Sequence, residues 1–167
     1  MKLVMDACSV ILLAKATLLE KVLGAYDASI TRSAYEEVAE GKKDMRADAL
    51  LIERLKKEGK VKFASESKKT VDRLMKDFNM GKGEAATIAA ALKEQKGVLT
   101  DNNQGRKAAQ VNNLALAGSI EIVVDLLGKG KIGIDKAKSA LGTLKREGWF
   151  DSHLIEKAVE DIENERG

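Results

Sequence analysis

Two aspartates each follow directly on a short apolar run: Asp6 in KLVMDACS and Asp101 in GVLTDNNQ. Two glutamates, Glu37 in SAYEEV and Glu84 in GKGEAATIAAAL, lie in helical stretches whose neighbours are largely small or apolar, so each can face inward. Carboxylates placed in this way offer only hard oxygen donors. The 167 residues contain one cysteine, Cys8, and one histidine, His153, so a zinc or copper site has no usual ligand set to recruit, whereas Mg²⁺ or Mn²⁺ takes an all-oxygen site. Each acid singly also has an ordinary explanation. A strand-end aspartate caps the next helix, Glu84 complements a helix dipole in a first turn, and Glu37 shares a solvated face with Glu36. His153, in the last helical segment, reads as a surface or packing residue.

The elements that must position these acids alternate between short strands and helices. KLVM reads as a strand and the apolar residues from Ser9 to Gly24 as a helix. YDASIT is a second strand, with Thr31 or Ser33 as the cap of a helix that stops near Gly41. The charged middle, from Lys42 to about Met80, reads as helix, the strand KVKFA, and helix. GEAATIAAALKEQKG is an alanine-rich helix, VLT a brief strand ending at Asp101, and NQGRKAAQVNNL a further helix. ALAG then leads into SIEIVVDLLGKG and two more amphipathic helices. Strands alternating with helices predict an α/β sandwich with a mainly parallel central sheet, and parallel sheets carry their sites at the carboxyl ends of the strands. Asp6 and Asp101 both belong there.

Hydrophobic residues make up 44% of the chain and charged residues 33%, which suits one ordinary core, and one domain over residues 1–167 is expected. The net charge of +3 mildly favours an anionic partner. Cys8 has no partner for an internal disulfide, which fits a reducing cytoplasm, and the first apolar run is broken by Asp6 and Lys15, unlike a secretory signal or a membrane span. The glycines of MGKGEA match neither the Walker spacing nor the dinucleotide fingerprint.

The ordered segments MDACSVILLAK, ITRSAYEEV, MGKGEAATIAAAL, VLTDNNQGRKAA and ALAGSIEIVVDLL resemble the successive signatures of PIN-domain proteins, most closely the small prokaryotic ones that include toxins of toxin–antitoxin pairs. The resemblance spans nearly the whole chain. It implies a PIN-like three-layer sandwich with C-terminal helices, and a ribonuclease whose acidic pocket holds Mg²⁺ or Mn²⁺. Matched by motif, the catalytic acids are Asp6, Glu37, Glu84 and Asp101, with Asp6, Glu84 and Asp101 holding metal. Two departures bear on the ligand set. Cys8, followed by Ser9, stands where a small polar residue often orders the site, and Asn102 and Asn103 stand where a second late acid often follows. The resemblance further implies a small antitoxin partner and a homodimer, for which Leu50, Leu51, Ile52 and Leu55 offer an apolar face.

Electrostatics points the same way. Carboxylates about 5 Å apart repel by roughly 3 kcal/mol per pair at an effective dielectric of 20, and folding alone gives no reason to gather four of them. A divalent cation reverses that sign. A nuclease must also hold a polyanion, and Arg106 and Lys107, within a turn and a half of Asp101, are placed to reach a phosphate, with Arg32 extending the surface. Two other readings start from the same acids. A PIN-fold module without cleavage would bind RNA or protein on the same surface. A phosphoacceptor domain also uses strand-end aspartates with Mg²⁺, but leaves Glu37 and Glu84 unexplained.

Overall fold

The computed structural model describes residues 1–164. Its centre is a five-stranded, all-parallel sheet in the order β3-β2-β1-β4-β5, formed by β1 (Lys2–Met5), β2 (Asp27–Ile30), β3 (Lys62–Phe63), β4 (Gly97–Leu99) and β5 (Leu116–Ala117). The strands are short and apolar because both faces are covered. Leu3, Met5, Ala28, Ile30 and Leu99 enter the core on one face, while Val4 and Val98 enter the core on the other. The first layer is built from α1 (Ala7–Lys15), α2 (Leu19–Ala25), α3 (Arg32–Glu40), α4 (Ala47–Lys57), α8 (Ser119–Gly128), α9 (Ile134–Glu147) and α10 (Ser152–Asn164). The second is built from α5 (Lys68–Phe78), α6 (Lys82–Glu94) and α7 (Asn103–Val111). This is the expected three-layer α/β sandwich.

The strand order reverses at the middle of the sheet. The first three strands run outward from β1 on one side, and β4 and β5 continue on the other. In parallel α/β sheets the crevice at such a reversal is where ligands bind, because the helices following the two central strands part to opposite faces. The register Met5↔Leu99 then places the residues after β1 and β4 side by side, and the Asp6 amide donates to the Leu99 carbonyl at 3.1 Å.

Two elements depart from the sequence reading. The helix expected from Ser9 to Gly24 is two helices, parted where Thr17 adopts φ 55°, and the Lys136 ammonium donates to the Ala16 carbonyl at 2.9 Å. A tertiary contact thus stabilises a break that the apolar spacing conceals. ALAG, given no strand of its own, contains β5, whose two residues are too few to show a period. In α4, Ile52 and Leu55 are fully buried in the monomer and only Leu50 of the large apolar residues there is exposed, at 37%. The apolar surplus read as a self-association face is therefore mostly core.

Candidate functional site

Asp6 leaves β1 with extended backbone and caps α1, its Oδ1 accepting from the Ser9 amide at 2.7 Å. Its Oδ2 accepts from the Thr100 hydroxyl. The side chain is 3% exposed, and desolvation raises its pKa from 3.8 to about 6 against the lowering effect of those hydrogen bonds, with the Asp101 charge adding a little upward. The ordinary capping role is thus present. It does not account for an acid made this costly to ionise, since capping alone is best served by a solvated side chain.

Asp101 is held from two sides. Ser9 Oγ donates to its Oδ2 at 2.8 Å, the Ser119 amide donates to its Oδ1 at 2.7 Å, and the Ser119 hydroxyl donates to its Oδ2 at 2.5 Å. Ser9 and Ser119 are both fully buried. Ser9 therefore links the two strand-end acids, giving its amide to one and its hydroxyl to the other. The small polar function that Cys8 was read as lacking falls to the next residue.

The glutamates lie across the mouth. Glu37, on α3, has its Oε2 only 2.8 Å from where a Cβ on Gly83 would sit, so a glycine there lets the carboxylate approach the first turn of α6. Burial first, then the charges of Glu84 and Glu40, push the Glu37 carboxyl upward from its ordinary value. Glu84 is in that same first turn and accepts from the Gly81 amide at 3.3 Å, so the structural role expected of it is also realised. The charges of all four acids reach Cys8. Its thiol is pushed up to about 12, by desolvation first and then by the charges of Asp6, Asp101, Glu37 and Glu84 in that order. The sulfur stays protonated and is no nucleophile.

Glu121, which the sequence reading passed over, completes the rim. A Cβ on Gly118 would lie 2.7 Å from Glu121 Oε2, 2.9 Å from Arg106 Nη1 and 2.9 Å from Asp101 Oδ1, so three charged groups close over this glycine and would have to shift for any larger residue. Arg106 pairs with Glu121 at 3.5 Å and donates to the Thr100 carbonyl at 3.3 Å. Of the other cations, Lys107 is exposed and Arg32 lies 4.5 Å over the Phe63 ring at the carboxyl end of β3. Asn102 is occupied as the cap of α7, accepting from the Gln104 and Gly105 amides at 2.8 and 3.1 Å, whereas the Asn103 side chain is exposed in the cleft. His153 is exposed on α10.

Residues 2–164 match the PIN-domain family. The chain belongs to that family. PIN domains are typically nucleases and generally use divalent metal ions. In structure this PIN domain is similar to PAE2754 from Pyrobaculum aerophilum, at 14% identity and a TM-score of 0.58, over 76% of this chain and 97% of that one. That likeness concerns the fold. No curated protein matches the sequence.

The donor chemistry of this PIN domain fits a hard divalent cation: carboxylate oxygens, hydroxyls fixing two of the carboxylates, and the charges of Asp101 and Glu84 pushing Asp6 and Glu37 upward. Among the described residues no three side chains converge as a finished ligand cluster. The fit is one of donor type and charge, with Asp6 and Asp101 preset and the glutamates at the mouth. No helix among the described residues is long and apolar enough to cross a membrane.

Proposed function

We propose that the chain acts as a single PIN domain that is a metal-dependent endoribonuclease, hydrolysing RNA phosphodiester bonds with Mg²⁺ or Mn²⁺. The observation that carries this reading is the placing of Asp6 and Asp101 side by side at the switch point of the sheet, joined through Ser9, with Glu37 brought against the first turn of α6 that carries Glu84, an arrangement of like charges that a cation would relieve. Asp6 and Asp101 would hold the metal with Glu84, and Glu37 would act beside them. Such a cation supplies a bound water of lowered pKa and neutralises charge developing on the phosphate. Ser9, Thr100 and Ser119 fix the lone pairs that Asp6 and Asp101 present, which orients the ligands before any substrate arrives. Arg106, anchored by Glu121, faces the same rim and would meet a phosphate together with Lys107 and Arg32. We extend the reading to a cytoplasmic toxin controlled by a small antitoxin and working as a homodimer, on the sequence resemblance alone.

The test is a mixed RNA pool incubated with the protein in Mn²⁺, in Mg²⁺ and in EDTA. Fragments in either metal and none in EDTA are expected. An intact pool under all three conditions, with Mn²⁺ failing to bind at millimolar concentration in calorimetry, sinks the catalytic reading. One observation favours the second reading, a binding module without cleavage: Asn102, where a further acid often stands, is committed to capping α7. That module would bind RNA equally well in EDTA.

A further inference from the structure

Trp149 is the one tryptophan of the chain and is fully exposed, at 105% of its reference surface, in the turn between α9 and α10. An isolated exposed ring needs no explanation by itself, and what singles this one out is its place beside Asp101. The backbone enforces the exposure. A Cβ on Gly148 would collide with the Phe150 ring and lie 2.9 Å from the Leu144 carbonyl, so glycine there lets Phe150 fold back and pack against the core, and the residue between them turns outward.

The ring stands between two clefts of about 590 and 710 Å³, and Asp101, Asn103 and Phe150 line both along with it. In the smaller cleft Trp149 faces the start of α7, where Asn103 and Gln104 are exposed and their side-chain amides make no hydrogen bond within the described residues. Lys15, the cation lining it, is paired with Glu147 at 2.9 Å, so a phosphate finds no free cation there, and an apolar peptide would leave both amides unpaired. A neutral aromatic ring with hydrogen-bonding edges meets neither penalty. We propose that this cleft seats a nucleobase next to the scissile phosphate, with Trp149 as the ring it stacks on and Asn103 and Gln104 meeting its edge.

The inference rests on the nuclease reading for the phosphate it adjoins. Its physics is independent of cleavage: a base held in a duplex cannot offer its face, whereas a splayed base stacks on an indole with little regard to sequence. The single tryptophan makes the contact directly observable.

The full chain in Mg²⁺ buffer is titrated with a short, end-labelled, 2′-O-methyl oligonucleotide that resists hydrolysis, following probe anisotropy and Trp149 emission together. Quenching in step with binding is expected for the single strand, and none for its duplex. Trp149→Ala should weaken single-strand binding roughly 5- to 150-fold, and Trp149→Phe should recover part of it. Three outcomes overturn the inference: binding with unchanged emission, equal quenching by the duplex, or unaltered affinity of Trp149→Ala. Emission that instead follows protein concentration, with a dimer in light scattering, assigns the ring to a self-association face and also overturns it. Quenching in a protein that cleaves no RNA in Mn²⁺ upholds the base site and removes only the nuclease reading.

Discussion

Asp6 and Glu37 act on the same Cys8 thiol but are held in opposite ways. Asp6 is buried at the switch point, with both oxygens hydrogen-bonded and its pKa raised to about 6. Glu37 is exposed on a helix, and no residue donates a hydrogen bond to its carboxylate among the described residues. A fixed, desolvated carboxylate gives a cation a strong and directional ligand at a cost to the empty protein. One that no donor holds in place can move. The contrast suits a site in which the strand ends define the metal position and the helix acids adapt to it.

The largest expected effect tests the fixed half. Asp6→Asn or Asp101→Asn preserves size and removes a charged ligand, so RNA cleavage in Mn²⁺ should fall by at least about 100-fold while the fold persists by circular dichroism. Cleavage at the wild-type rate by either variant would reduce both acids to caps and turn residues.

Next comes a pH effect in the metal-free protein. The folded pKa of Asp6 lies above its unfolded value, so the folded state binds the extra proton and the contribution is fully present below about pH 4. It is lost as pH rises through about 6. The loss amounts to roughly 3 kcal/mol at 1.36 kcal/mol per pKa unit. Urea melts in EDTA between pH 4 and 7 should show wild type losing stability relative to Asp6→Asn across that window. A constant difference between the two would mean that the carboxylate is not desolvated as the structure has it.

How much of this is legible in the sequence follows from what each residue is near in the chain. Asp6 and Asp101 are legible because each directly follows an apolar run that must be a strand, and their neighbourhood needs only parallel pairing. Glu37 and Glu84 are legible through the order of the family-like segments. Ser9 is noticeable as a neighbour of Cys8, but the hydroxyl that carries its link from Asp6 to Asp101 reaches across 92 residues and has no local trace. Ser119 and Glu121 escape the sequence reading for a related reason. They enter the site only because two-residue β5 pairs with β4, and the available signal is a glycine-serine step three residues before an acid, the pattern of a helix start. The Thr17 break is hidden because left-handed threonine has no sequence signature.

Ser9→Ala sharpens the comparison from its hinge. The variant keeps the amide that Asp6 uses and deletes the hydroxyl that Asp101 uses, so it should loosen one acid without the other. Mn²⁺ affinity by calorimetry should fall roughly 10-fold, the lower end for a residue that orients a ligand, while the pH-dependent stability assigned to Asp6 persists and widens slightly, because the Ser9 side chain also holds the Asp6 pKa down. Loss of both together would show that the two acids are a single coupled unit.

Arg106→Ala should have the smallest effect, because the structure has already given that cation partners. Its guanidinium bonds the Thr100 carbonyl and pairs with Glu121, which is 56% exposed, so a phosphate would share it rather than claim it whole. Removing a cation fully engaged with one phosphate of a single strand lowers the salt dependence of binding by about 0.7. Arg106→Ala should therefore lower the slope by less than that, while leaving Glu121 without its guanidinium beside Asp101 and adding one more repelling charge to the rim. Pairing the variant with Glu121→Gln separates the two contributions: the double variant should regain Mn²⁺-free stability but not the salt slope. A slope reduced by the full amount would mean that Arg106 releases Glu121 when RNA binds, and would move this residue from the fixed half of the site to the adaptable one.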